Sequence, residues 1–200
     1  CRINQEKFTK RKMETINNFR SCQSSKIEIN YNPAFAGFFL YLQIPFKIQN
    51  SMLEQELSFI KEHLHYLEKE NVAVSKVSVG WHLDHSLKVI NTVLDILKQS
   101  DTEEYEKKFN FFRFYIFLKG SFPRGKVKSP KRVLPPEIIL IKALEEQIRL
   151  VENSLKNYPS IQENQFFTHP IFKQLNKKQT LKFLKLHSQH HFKIIQDILK

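Results

Sequence analysis

Two hundred residues, 41% of them apolar and 12% aromatic, suit one domain, or one domain plus an appendage, and exclude wholesale disorder. Only four glycines interrupt long runs of Leu, Ile, Lys, Glu and Gln, so the expected fold class is all-α. The formal charge of +12 permits attraction to nucleic acid, anionic lipid or acidic ligands and selects none of them; a lysine-rich background would produce it equally well.

Residues 1–51 read differently from the rest. The chain starts at Cys1, and RINQEKFTKRKMETINNFRSCQSSK is polar and basic, with no apolar run suited to a secretory signal. Cys1 and Cys22 are the two cysteines; without a disulfide framework or a CxxC they point to a reducing, cytoplasmic setting. NPAFAGFFLYLQIPF (32–46) is apolar and aromatic, but shorter than the roughly 20 residues of a spanning helix. It suits a buried strand or loop, an interfacial anchor, or sequence upstream of the natural start. Met52 opens the regular pattern that follows, so the expected division is an extension over 1–51 and a helical domain over 52–200.

MLEQELSFIKEHLHYLEKE (52–70) repeats Leu53, Leu57, Ile60, Leu64 and Leu67 at helical spacing, which predicts a one-sided amphipathic helix. NVAVSKVSV breaks the rhythm. SVGWHLDHSLKVINTVLDILKQ (78–99) carries Leu83, Leu87, Ile90, Leu94 and Leu97 on one stripe, with Trp81, His85, Val89, Val93 and Ile96 beside it. So wide an apolar face predicts a largely buried second helix. Acidic DTEEYE then leads into FNFFRFYIFL, a helix or long packed segment.

KGSFPRGKVKSPKRVLPP (119–136) holds two glycines, four prolines and six cations, a composition that cannot continue a helix. Pro135 and Pro136 then precede a third long helix starting at Glu137, EIILIKALEEQIRLVENSLK. A loop containing FFTHPIF follows Tyr158–Pro159, and NKKQTLKFLKLHSQHHFKIIQDILK is the last helix. Four long helices joined by an extended basic crossover between the second and third predict a helical bundle.

All eight histidines follow residue 52. In the last helix Leu181 and Leu184 lead to His187 and His191, then to Ile194, Ile195 and Ile198. His187 and His191 are one turn apart and share the apolar face. A buried imidazole without a partner costs roughly 1–3 kcal/mol. A divalent cation would satisfy both rings, since neutral imidazole is its commonest ligand. On the second helix His85 follows Trp81 by one turn, whereas His82 and Asp84 are expected on other faces. Packing of these two helices would set His85 opposite the pair, and three histidines leave positions on an ion open for chemistry. HxxxH pairs also occur as ordinary buried histidines bonded to backbone carbonyls. His190 reads as flanking, His63 and His65 as surface residues, and His169 as part of a loop.

WHLDHSLKVI, SFPRGKVKSPKRVLPPE and FFTHPIFKQLNKKQTLKFLKLHSQHHFKIIQDIL together resemble the DinB/YfiT-like metalloenzyme superfamily. Within it they are most similar to a DinB-like branch known only as a domain of unknown function. The resemblance covers about residues 53–200 and leaves 1–51 unmatched. It implies a four-helix bundle in which one histidine of the second helix and an HxxxH pair of the last bind a divalent metal; these fall on His85, His187 and His191. Characterised members include thiol-dependent transferases and isomerases that use low-molecular-weight thiols, and others have no assigned reaction; the expected activity here is metal-dependent thiol transfer, with such a thiol as second cofactor, or hydrolysis of a small electrophile. Two departures bear on substrate more than on metal. Phe192-Lys193 follows His191 where many members have Arg-Gly, and Trp81 lies closer to His85 than the family's tryptophan does.

Zinc or nickel is the first expectation for the ion, although iron and manganese also accept imidazole. With no cysteine after Cys22, a nucleophilic sulfur must come from a second molecule. Arg124, Lys126, Lys128, Lys131 and Arg132 in the crossover are the candidate anion-binding residues, facing the carboxylates or phosphate of an acidic thiol or substrate; a solvated basic loop is the plainer reading. The expected partners are a small-molecule substrate and a second copy of the chain. Two alternatives stand beside the enzyme: a metal-free basic helical protein that binds nucleic acid, and a metal-stabilised bundle without turnover.

Overall fold

A computed structural model describes residues 53–124 and 131–200. The expectations for residues 1–52, and those for Lys126 and Lys128, lie outside the described residues. The rest is mostly helical, with one small antiparallel hairpin. Helix α1 covers 53–62, α2 Val79–Gln99, α3 Phe111–Lys119, α4 Ile141–Asn157 and α5 Lys177–Ile198; β1 (Phe166–His169) pairs with β2 (Lys173–Asn176) just before α5.

α2 is the centre of the packing. The Ser78 side chain caps it by accepting from the Trp81 amide at 3.3 Å. Its buried residues then run almost around the helix, from Val79 through Leu83, Leu87 and Ile90 to Leu97. Each such side chain contributes about 1.5–3 kcal/mol on burial, so α2 needs neighbours on several sides. It packs against α4, α5, β1 and a short turn at Lys131–Val133. α4 meets the core through one narrow stripe, Leu144, Ile148 and Val151. α5 starts with a capping box in which Asn176 and Gln179 bond each other's backbone, and it buries Leu181, Leu184, Ile195 and Ile198. α1 adds Leu53, Leu57 and Ile60 to the same core. Its Phe59 stacks on Phe192 of α5 at 4.1 Å, and its Lys61 pairs with Glu152 of α4 at 2.7 Å.

Three elements differ from the sequence expectation. The first helix ends at residue 62, and Leu64–Tyr66 form a 3-10 turn. The chain turns there to meet α2: the Gly80 amide donates to the Leu67 carbonyl and the Val79 amide to that of Lys69, both at 2.9 Å. A Cβ at Gly80 would stand 2.9 Å from the Leu67 oxygen, so glycine permits the contact. Leu64 and Leu67 still pack on the core, which is why the leucine spacing outlasts the helix.

α4 begins at Ile141 rather than Glu137. Leu140, at its N-cap position, has an extended backbone and makes no side-chain cap, and the isoleucines just before it are stiff at χ1 and weak helix formers. FFTHPIF, expected as a loop, supplies β1 and the hairpin turn, with Lys173 in the left-handed region at φ 60°. Neither four-residue strand, FFTH or KQLN, alternates apolar and polar residues.

The aromatic block becomes α3, capped by Asn110 at one end and by left-handed Gly120 at the other. Arg113 ties it to the hairpin by donating to the carbonyls of Phe172 (3.2 Å) and Gln174 (2.9 Å). Among the described residues no helix is long and apolar enough to cross a membrane.

Candidate metal centre

α2 and α5 pack so that His85 meets His187 and His191. One ligating nitrogen from each of the three lies within 4.8 Å of the others. Ring centroids stand 4.8 Å apart for His85 and His191, 5.2 Å for His85 and His187, and 4.7 Å for His187 and His191. His85 and His191 are buried and His187 is half-buried. The three residues named from the sequence thus form one cluster.

Two of the rings are held from behind. His85 Nδ1–H donates to the Val133 carbonyl at 2.8 Å, which leaves Nε2 with the lone pair. Trp81 stacks on the same ring at 4.9 Å. His191 Nδ1 shares a 2.9 Å hydrogen bond with His82 Nδ1. His187 has no such support; its buried Nδ1 lacks any hydrogen-bond partner. A buried ring nitrogen without a partner suits a cation ligand, and the three imidazoles fit a divalent ion.

Electrostatics favour the ligating form. Burial is the first cause holding His187 and His191 well below the usual imidazole range, followed by the neighbouring histidines. His85 is also lowered by burial, opposed by its bond to Val133 and by the Asp84 carboxylate. Neutral rings at ordinary pH are the ones that bind metal. Asp84 itself is buried on the α2–α4 side, where it accepts from Gln147 at 2.7 Å and pairs with Lys88 at 2.8 Å.

Other histidines depart from the sequence reading. His82 does not turn away; it is buried against His191 and bonds Ser75 through its other nitrogen at 3.1 Å. A helical wheel drawn for one stripe misses it, because α2 is buried on nearly every side. His63 is half-buried rather than on the surface: its Nδ1–H donates to the Phe59 carbonyl at 2.8 Å and its ring stacks on Phe59. His65 is exposed, as expected. His169 belongs to the hairpin, where its Nδ1 accepts from the amides of Ile171 and Phe172, both at 3.1 Å. Burial pushes its pKa down to about 4.

The basic crossover is partly a strap. Val133 is buried, its carbonyl orients His85, and the Leu134 carbonyl accepts from Lys88 at 3.1 Å. No sequence signal marks Val133, since its carbonyl does the work. Lys131 and Arg132 are exposed on that turn. Arg124 pairs with Asp197 at 2.6 Å and lines a cleft of about 60 Å³ with Phe122, His190 and Lys193. The cleft borders the histidine cluster through His190, whose ring meets that of His191 edge-on at 5.3 Å.

Fold and cluster together define a helical protein with a candidate three-histidine metal centre. No family model, curated protein or solved structure matches the chain.

Proposed function

We propose that the chain is a divalent-metal-binding protein of the DinB-like type, with α1, α2, α4 and α5 as its four-helix bundle. His85, His187 and His191 hold the ion. The activity this reading favours is metal-dependent transfer of a low-molecular-weight thiol, or hydrolysis of a small electrophile. The observation that carries it is the convergence of three neutral imidazoles from two helices, one of them with a buried nitrogen that nothing in the protein satisfies.

A divalent ion there would supply Lewis acidity, lowering the pKa of a water or thiol and polarising an electrophile. The chain's own residues prepare the ground for it. Trp81 and Phe183 wall the cluster with aromatic surface, and Val133 fixes the orientation of His85. The described residues hold no cysteine, and on this reading the low-molecular-weight thiol supplies the sulfur. Arg124, which also pairs with Asp197, and Lys193 line the cleft beside His190, and their charge supports attraction of its acidic groups.

Elemental analysis of the full chain purified after zinc or nickel supplementation tests the reading. Wild type is expected to carry about one ion per chain, and His85→Ala, His187→Ala and His191→Ala to lose it. Wild-type protein free of metal after supplementation overturns the proposal.

A further inference from the structure

His191 reaches the cluster with one nitrogen already engaged. Its Nδ1 lies 2.9 Å from Nδ1 of His82, so Nε2 is the nitrogen left for a ligand. His82 Nε2 lies 3.1 Å from Ser75 Oγ, and Ser75 Oγ accepts from the Val77 amide at 3.3 Å. Val77, Ser75, His82 and His191 therefore form one chain of hydrogen bonds running from the 71–78 segment to the cluster.

Two neutral imidazoles sharing an Nδ1–Nδ1 bond need one donor and one acceptor, so only two proton orders are possible. In the first, His191 Nδ1–H donates to His82 Nδ1, His82 Nε2–H donates to Ser75 Oγ, and His191 Nε2 carries a lone pair. In the second, the Ser75 hydroxyl donates to His82 Nε2, His82 Nδ1–H donates to His191 Nδ1, and the proton of His191 sits on Nε2, where it blocks a cation. Every hydrogen bond is kept in both orders, and only the first opens the site.

We propose that His82, backed by Ser75, is a positioning residue: it accepts from His191 Nδ1–H in the proton order that presents Nε2 to the metal, so that the ion is bound without the loss of a hydrogen bond. The proposal rests on the three-histidine reading and extends it to a residue outside the ligand set. Partners behind a metal-bound imidazole fix its tautomer and ring orientation, and their loss typically weakens affinity 10–100-fold. His82 is an imidazole in a place where a carboxylate or a backbone carbonyl more often stands. It can therefore both accept from His191 and donate onward to Ser75.

The test compares zinc affinity, by chelator competition, in full-length wild type, His82→Phe, His82→Asn and Ser75→Ala. Phenylalanine keeps a ring in the space but no acceptor, and asparagine returns an oxygen near the Nδ1 position. About 10–100-fold weaker binding is expected for His82→Phe, with most of it recovered in His82→Asn and a smaller loss for Ser75→Ala. The ¹⁵N shifts of His191, recorded without and with zinc, report its tautomer directly. With zinc they should show protonated Nδ1 and a metal-bound Nε2 in wild type and in His82→Asn.

If His82→Phe does not fold, the wild-type and His82→Asn spectra decide. Zinc on Nδ1 of His191 in the loaded wild type, or equal zinc affinity in folded His82→Phe and a wild type that does load, overturns this inference alone. Failure of wild type to take up zinc overturns the metal reading beneath it.

Discussion

His85 donates its Nδ1 proton to the carbonyl of Val133 across 2.8 Å, although 48 positions separate the two in the chain. A turn of the long crossover thereby sets the tautomer of a ligand on α2. The carbonyl cannot be deleted, but the side chain that seats it can. Val133→Gly removes a buried branched residue and loosens the turn, costing roughly 2 kcal/mol of stability. Zinc affinity is expected to fall about tenfold or more as His85 loses its fixed orientation. Urea unfolding and a zinc competition titration on the same variant separate the two effects. Lower stability with unchanged affinity would reduce the strap to a packing role.

His187 predicts a conflict between stability and binding. Its buried Nδ1 has no partner within the protein, which costs about 1–3 kcal/mol. His187→Leu keeps an apolar residue of similar size on that face of α5 and removes the orphaned atom. Metal-free His187→Leu should unfold at a higher temperature than metal-free wild type, yet gain nothing from zinc. Wild type should gain about 4 kcal/mol at a thousandfold excess of ion over its dissociation constant. Melting curves of both proteins with chelator and with zinc check it. A less stable leucine variant would mean that water already satisfies the nitrogen.

The ligand set could be read from the sequence because two simple periods coincide there. A four-residue step stacks His187 on His191, and the one-turn step from Trp81 to His85 lies on an apolar stripe. His82 could not be read, since its role depends on α2 being buried on nearly all sides, which emerges only when α4, α5 and the crossover close around it. Val133 acts through a backbone atom that every residue possesses. The hairpin escaped for a different reason: at β1 and β2, pairing between two four-residue strands stabilises what neither would form alone. The early end of α1 reflects the approach of Gly80 to Leu67, a contact between segments that local helix propensity does not register.

Glu56 is a buried carboxyl on α1 whose Oε1 accepts from Gln189 at 3.4 Å and whose Oε2 has no partner. Burial raises its pKa above the ordinary 4.5, and its own backbone hydrogen bond and the charge of Lys185 offset this only in part. A folded pKa above the unfolded one means that the native state holds the proton more tightly. Stability from this group is therefore present at pH below about 4.5 and is lost as pH rises through the folded value. Glu56→Gln keeps the shape without the charge. It should be more stable than wild type at pH 8, by about 1 kcal/mol or more, with the difference vanishing near pH 4. Urea unfolding of both proteins across that range measures it; a difference that does not change with pH would rule out a buried titrating carboxyl.

The buried histidines predict the opposite slope for the metal-free chain. Burial is the first cause that lowers His82 and His169 to about 4, and it also lowers His85, His187, His190 and His191. A lowered folded pKa means that the unfolded chain binds protons first. Stability should thus be complete above the ordinary value of 6.5 and fall as pH drops from there toward 4. His82 and His169 each add about 1.4 kcal/mol per pH unit inside that window. His169 gives the cleanest single test, because it sits on the hairpin outside the ligand set and accepts from two backbone amides. His169→Gln should be less stable at pH 7, yet lose stability on acidification with a slope shallower by about one proton, while zinc affinity stays as in wild type. An unchanged slope would mean that His169 charges freely in the folded protein, and that burial does not hold it neutral.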